Sequence, residues 1–321
     1  MLSLVVPIYK NEDNIPPLLD AIRDLRDSVG PEFEAVFVVD GSPDNSLLAL
    51  RRDLPNAPFQ SQLVALSRNF GAFAAIRAGL GHARGDYCAV MAADLQEPPS
   101  LVLEMHTSLA ADECDVALGV RASRNDPLTS QLSSKIFWWL YRKVVLPDIP
   151  AGGVDIFGIN RYVKDQLLAL HERNSSLVGL LFWVGFRRKA FPYDRQKRQI
   201  GVSAWTFAKK WRYMQDSIFS FSDLPIRLLL RVGGFGLLFS LLFTLLVSIS
   251  WLLGQIDVPG YTATILIITL FGMLNLMSTG VLGVYIWRVF ENTKGRPAHI
   301  VMKEEVFAGR ASGAPETKDE R

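Results

Sequence analysis

Gly85-Asp-Tyr-Cys-Ala-Val-Met-Ala-Ala-Asp-Leu-Gln-Glu-Pro-Pro99 decides how the rest of the chain is read. Residues 87–92 form a short, largely apolar run of the kind buried in a parallel sheet. The run gives way to Asp94, Gln96 and Glu97, and two prolines follow that cannot continue a strand. Polar oxygens are thereby set just past the carboxyl end of a central strand, where open α/β sheets bind ligands. A carboxylate and an amide oxygen two residues apart suit a hard divalent cation that also holds a phosphate. A polar strand-to-helix loop with Asp94 as a helix cap is the plainer alternative, and this segment leaves both open.

The same design repeats outward from it. Residues 2–7 read as a first strand, followed by the polar loop Ile8-Tyr-Lys-Asn-Glu-Asp-Asn14. Between 16 and 29, Leu18, Leu19, Ile22, Leu25 and Val29 share one face of a helix. Residues 33–39 are a second apolar strand, ending at Asp40-Gly-Ser-Pro-Asp-Asn-Ser46, with a helix opening at about Leu47. Residues 62–66 form a third strand, Arg68-Asn-Phe-Gly71 follows, and 72–82 is a helix of small residues suited to close packing. Beyond the central strand, 98–111 is helical and 115–120 is another strand. Strands alternating with helices at this spacing predict right-handed β-α-β units and a mostly parallel, doubly wound sheet. The polar clusters at 9–14, 40–46, 67–71 and 94–97 then meet at one edge of that sheet and form one pocket.

The chain has 321 residues and a formal net charge of only +2, which gives no electrostatic case for a nucleic-acid partner. Charge is unevenly spread, however: 187–231 is dense in Arg and Lys, whereas 232–287 carries Asp257 alone. Cys88 and Cys114 sit in apolar runs without metal-ligand spacing and read as buried thiols of a reducing compartment. The first residues lack a basic region and a long apolar stretch, so no signal peptide is expected.

Two segments mix aromatic with basic residues. One, at 133–146, includes Lys135, Trp138 and Arg142; the other, at 203–221, includes Ser203, Trp205 and Lys209. Such helices suit a membrane interface, with rings at headgroup depth and cations toward phosphates, or pack as ordinary amphipathic helices. Residues 232–253 are an uncharged apolar run of about the ~20 residues that a bilayer-spanning helix needs. Residues 261–287 are a second, and together the two predict a transmembrane hairpin. Arg227 and Arg231 flank its start and Arg288, Lys294 and Arg296 its end, which puts both termini in the cytoplasm. From residue 303 the chain reads as a disordered tail.

Val5-Val-Pro-Ile-Tyr-Lys-Asn-Glu12, Val39-Asp-Gly-Ser-Pro-Asp-Asn-Ser46, Leu66-Ser-Arg-Asn-Phe-Gly71 and Ala93-Asp-Leu-Gln-Glu-Pro-Pro99 occur in that order. Together with Ser220-Phe-Ser-Asp-Leu-Pro-Ile-Arg227 before the hairpin, they resemble the family 2 glycosyltransferases of GT-A fold. The resemblance is closest to the polyisoprenyl-phosphate group of bactoprenol glucosyltransferases and dolichol-phosphate mannose synthases, and covers residues 1 to about 300. The Gln-x-x-Arg-Trp of processive synthases does not occur. Departures are Val39 and Ala92, where the family pattern has Asp, and Ala204, where it has Lys.

The resemblance implies a GT-A catalytic domain at 1–200, interfacial helices at 201–231, the hairpin at 232–287 and a cytoplasmic tail at 288–321. It implies inverting transfer of a sugar from a nucleotide-diphosphate donor, UDP ahead of GDP, to polyprenyl (undecaprenyl) phosphate at a bacterial inner membrane. A homo-oligomer is also implied. Asp94 and Gln96 would hold Mg²⁺ or Mn²⁺, and Pro7, Tyr9, Glu12, Asp40 and Arg68 would line the nucleotide-sugar site. Asp155 is implied as the catalytic carboxylate, as base or as positioning group, with Arg195 and Arg198 beside the leaving group. Lys135, Trp138, Arg142, Ser203, Trp205 and Lys209 would face the lipid acceptor. Two other readings stay open: a degenerate domain that only binds nucleotide sugar or a partner, and a transferase with another lipid acceptor.

Overall fold

The structure, a computed structural model, describes residues 1–122, 142, 147–150, 153–170, 172, 176–196, 207–222, 224–253 and 260–309. The chain divides into two compact units, Met1–Lys210 with Arg296–Arg321, and Trp211–Gly295.

In the first unit, strands alternate with helices as the periodicity predicts. β1 (Leu2–Ile8), α1 (Ile15–Val29), β2 (Phe33–Val39), α2 (Ser46–Asp53), β3 (Gln60–Leu66) and α3 (Ala72–His82) come first. β4 (Tyr87–Val90), α4 (Pro99–Ala110), β5 (Val116–Arg121), β6 (Ile156–Asn160), α5 (Arg161–Ala169), α6 (Leu177–Trp183) and β7 (Arg188–Tyr193) follow. With β8 (Val301–Phe307) they give one sheet in the order β7-β5-β6-β4-β1-β2-β3-β8. β1 pairs in parallel with β2 and β4, β2 with β3, and β5 with β7. β6 and β8 run antiparallel to their neighbours.

Alternation along the strands builds the core. Leu4, Val6 and Ile8 of β1 and Phe37 and Val39 of β2 join Leu18 and Ile22 of α1 and Leu50 of α2 in one buried cluster. Each such side chain contributes roughly 1.5–3 kcal/mol relative to staying in water. On the opposite face α3 lies unusually close. A Cβ on Gly79 would stand 2.3 Å from Val5 Cγ1, so the small-residue run predicted for close packing does pack closely.

The tail expected over 303–321 opens as a strand instead, and residues 310–321 lie outside the described residues. β8 pairs antiparallel with β3, from Ser61↔Phe307 to Leu66↔Val301. Ser67 donates its N–H to the Ile300 carbonyl at 3.0 Å, and Arg51 Nε donates to Glu305 Oε1 at 2.9 Å. The segment is polar because it is an edge strand with most side chains exposed, and charge there blocks further pairing. Backbone pairing, which composition does not register, holds it in place.

The second unit contains most of α7 (Phe207–Phe221), together with α8 (Leu224–Leu252) and α9 (Tyr261–Thr293). Arg288 of α9 donates to Asp216 Oδ1 at 2.7 Å and to Ser220 Oγ at 3.0 Å on α7. Large apolar side chains are exposed along both long helices, among them Phe235, Leu252, Leu276 and Ile286. Among the described residues one stretch, Leu270–Thr293, is long and apolar enough to cross a membrane. Of the two spans expected at 232–287, one is met on that criterion.

Candidate active site

Parallel strands deliver their following loops to the same edge, and the first two loops are laced together there. Lys10 N–H donates to Ser42 Oγ at 2.8 Å and Asn11 N–H to Ser46 Oγ at 3.2 Å. Glu12 accepts the Asn45 backbone N–H and the Asn45 Nδ2 donor, both at 3.0 Å. Asp44 accepts the Ser42 hydroxyl at 2.5 Å, the Ser46 hydroxyl at 2.7 Å and the Glu12 N–H at 3.1 Å. Partial burial pushes this carboxyl up, but the serine hydroxyls and backbone N–H groups outweigh it and hold Asp44 below its ordinary 3.8. Asp44→Asn is therefore expected to lower stability at pH 7 by about 1–3 kcal/mol. A depressed folded-state pKa gives stability above the unfolded value that is lost on acidification. The gap to wild type should accordingly close below about pH 4, as melts at pH 7 and pH 3 would test.

Asp40, expected to line the nucleotide-sugar site, has its carboxylate directed inward. Only 2% exposed, it accepts the Phe70 N–H at 2.7 Å and the Gly71 N–H at 2.8 Å. These amides precede α3 and need an acceptor, so the carboxylate fixes the 67–71 loop against the 40–46 loop. Gly41, at φ +55°, lets the two loops touch: a Cβ there would lie 2.2 Å from the Arg68 carbonyl carbon. Gly41→Ala should cost about 1–3 kcal/mol and shift the Arg68 loop, visible as a lower Tm. Arg68 itself is exposed, with its guanidinium 4.1 Å from the Phe70 ring centroid. Tyr9 is exposed at the same edge, and Pro7 is half-buried within β1.

Asp94 and Gln96 lie in the loop after β4. Leu95 between them has φ +52°, in the left-handed region, and the Asp94 carboxylate accepts the Gln96 N–H at 3.4 Å. Asn14 and Pro17 of the β1 side and Asp94, Leu95, Pro99 and Gln196 line a cleft. It opens past the ends of β1 and β4, the point where the chain switches from one half of the sheet to the other. Gln96 also ties down the segment after β7. Its Oε1 accepts from Arg195 Nη2 at 2.5 Å, its Nε2 donates to the Gln196 carbonyl at 3.2 Å, and its carbonyl accepts the Gln196 N–H at 2.9 Å.

Asp155 reaches this edge because β6 is antiparallel: the residue before β6 lies at the end where β5 and β7 finish. Arg121, the last residue of β5, grips it with two bonds, Nε to Oδ2 at 2.5 Å and Nη2 to Oδ1 at 2.7 Å. Tyr193, the last residue of β7, donates its hydroxyl to Oδ2 at 2.6 Å. Burial, and then the Asp155 charge, push the Tyr193 phenol well above its ordinary range, so it remains a donor. Burial works against the Arg121 charge, but the bonds to Asp155 more than compensate. Glu97 completes the group: it is 2% exposed, with Oε1 3.8 Å from Arg195 Nε. Burial, and then the charges of Asp94 and Asp155, push its carboxyl up to about 7.

The structure thus brings Pro7, Tyr9, Glu12, Asp40, Arg68, Asp94, Gln96, Asp155 and Arg195 to one edge. Arg142 is half-buried, and Lys209 lies on α7. Arg198, Lys135, Trp138, Ser203 and Trp205 lie outside the described residues. Sequence reasoning gave no role to Glu97, Arg121 or Tyr193. The available signal was a charged residue closing an apolar strand for Arg121, and a carboxylate next to Pro98 for Glu97.

The donor set fits a hard divalent cation. Asp94 and Gln96 supply oxygen, and Glu97 Oε2 is buried without a hydrogen-bond partner among the described residues. No three acidic, histidine or cysteine side chains among the described residues group to cage an ion. Mg²⁺-type sites commonly use one or two carboxylates and take the rest of their shell from substrate phosphates and water.

Known proteins match this architecture along most of its length. The family model for glycosyl transferase family 2 matches residues 3–191. An uncharacterized glycosyltransferase of Synechocystis, sll0501, is 33% identical over 94% of this chain and 94% of its own. The bactoprenol glucosyl transferase of Shigella phage SfV is 31% identical over 95% of this chain and 99% of its own. Among solved structures, the mannosyltransferase PcManGT of Pyrobaculum calidifontis, in complex with GDP-Man and Mn²⁺, is 20% identical. That alignment has a TM-score of 0.45 and covers 60% of this chain and 54% of the other.

Proposed function

The chain belongs to glycosyl transferase family 2 and is a glycosyltransferase; on that premise we propose that it transfers a sugar from a nucleotide-diphosphate donor to a polyprenyl phosphate. One observation carries the acceptor. Similarity to a bactoprenol glucosyl transferase extends over 95% of this chain, so it runs beyond the sheet into the long apolar helices. A transferase with a water-soluble acceptor has no need of them.

The donor diphosphate would lie in the cleft beside Asp94, between the loops after β1 and β4, with Tyr9 and Arg68 at its rim. A Mg²⁺ or Mn²⁺ ion held by Asp94 and Gln96 would neutralise charge developing on the departing diphosphate. Arg195, held against Gln96, adds a fixed positive charge at the same end. The acceptor phosphate has its second pKa near ~6, so its oxygen is already largely ionised at pH 7 and needs little help from a base. Asp155 is read accordingly as the group that orients Arg121 and Tyr193 toward that phosphate. Attack from the face opposite the leaving group inverts the anomeric carbon, and an α-linked donor gives a β-linked lipid.

The apolar stretch in α9 and the apolar length of α8 support a hairpin in the inner membrane, with the Arg- and Lys-flanked ends and the sheet on the cytoplasmic side. Purified full-length protein in detergent tests the whole reading. With undecaprenyl phosphate, a panel of UDP- and GDP-sugars and Mg²⁺ or Mn²⁺, one donor should yield a lipid-linked sugar. Transfer to diacylglycerol or a glycolipid, with none to undecaprenyl phosphate, would reject the acceptor.

A further inference from the structure

Glu97 is an acid in an expensive place. Its side chain is 2% exposed, yet Oε2 has no hydrogen-bond partner among the described residues. A buried polar oxygen left this way is destabilising, and more so when charged. Oε1 has Arg195 Nε only at 3.8 Å, beyond hydrogen-bond distance, because the same guanidinium reaches Gln96 Oε1 at 2.5 Å. Arg121 turns its Nε and Nη2 donors to Asp155 instead. The charges of Asp94 and Asp155 bear on Glu97, and the nearest described guanidinium, that of Arg195, stands 3.8 Å away.

An unpartnered, buried oxygen next to Asp94 and Gln96 is a ligand position waiting for a cation. The chain has another reason to need one: Ala92 offers no oxygen where the sequence pattern it resembles has a carboxylate. Leu95, held at φ +52°, breaks the extended run between Asp94 and Gln96, and Pro98 and Pro99 fix the chain beyond Glu97. We propose that Glu97 is the second carboxylate ligand of the divalent cation in this chain, standing in for the missing carboxylate at position 92. The inference rests on reading the 94–97 loop as a donor-and-cation site. A divalent ion there gives the orphaned oxygen a partner and adds positive charge for the diphosphate.

Mn²⁺ binding tests this without any turnover. Full-length protein in detergent is titrated with Mn²⁺, and free ion is followed by electron paramagnetic resonance, with and without UDP or GDP. Wild type should bind Mn²⁺, more tightly with one of the nucleotides. Glu97→Gln should raise the Mn²⁺ dissociation constant about tenfold or more. Glu97→Met should do the same, and a melting temperature in metal-free buffer no lower than that of wild type verifies that each variant is folded. Adding Ala92→Asp to Glu97→Gln should recover most of the lost affinity. If Glu97→Gln and Glu97→Met bind Mn²⁺ as wild type does while Asp94→Asn does not, Glu97 is no ligand and the site reading survives. If wild type binds no Mn²⁺ with either nucleotide, the reading of the loop itself fails, and the proposal with it.

Discussion

Asp94→Asn should reduce sugar transfer by about 10³-fold, with nucleotide affinity in metal-free buffer changed only a few-fold. The magnitude follows from what surrounds the residue. The position two residues earlier is Ala92, which has no oxygen to offer. Gln96 is no substitute either: its amide carries no charge, and its Oε1 is shared with Arg195 at 2.5 Å. An asparagine at 94 keeps the size of the side chain and its bond to the Gln96 N–H, so the loop should hold its shape. What disappears is the charge that offsets a divalent ion. Initial rates of lipid-linked sugar formation, taken at saturating donor over a range of Mg²⁺ and Mn²⁺, provide the measurement. A variant that recovers wild-type rates merely at higher metal would reduce Asp94 to a contributor to affinity.

Asp155→Asn should lower kcat by about 10²–10³-fold while leaving the acidic limb of the pH–rate profile where it was. Both oxygens of Asp155 are engaged, Oδ1 by Arg121 and Oδ2 by Arg121 and Tyr193 together. With both oxygens so engaged, the carboxylate serves as a brace. Losing its charge frees the Arg121 guanidinium to choose another geometry, and the acceptor phosphate meets a misdirected partner. The acidic limb should then report the phosphate's own ionisation near ~6, which the substitution does not touch. Disappearance of that limb in Asp155→Asn would instead make Asp155 the base. Stability should fall by only about 1–2 kcal/mol, because the pair is partly exposed and water screens it.

The parts of the site legible in the sequence are those where strand, polar loop and helix follow each other directly. Asp94 and Gln96 stand out because an apolar run gives way to them and prolines follow. The loops at 9–14 and 40–46 stand out for the same reason, and in parallel strands they share an edge. Asp40 reads as a pocket residue by position, yet its oxygens face backbone amides on another loop, which only tertiary contact reveals. Arg121, Tyr193 and Asp155 come from strands far apart in sequence, and their meeting depends on the reversed direction of β6. No local period encodes that reversal. β8 was misread for a related cause: three successive charged residues, Lys303, Glu304 and Glu305, imitate a solvated tail. Their partners, Arg51 and His82, lie far back in the chain.

That last strand also sets a timetable. β3 emerges from the ribosome early, but the segment that covers its open edge is made much later; Arg51 and Glu305 are separated by 254 residues. At about 5–20 residues per second, the edge stays bare for on the order of ten seconds to nearly a minute of translation. During that interval the apolar helices must find their own surroundings while the sheet remains an unfinished template for stray strands. Truncation before Val301 should therefore hurt yield more than it hurts any chemical step: nascent chains would keep every residue of the cleft and still be prone to aggregate.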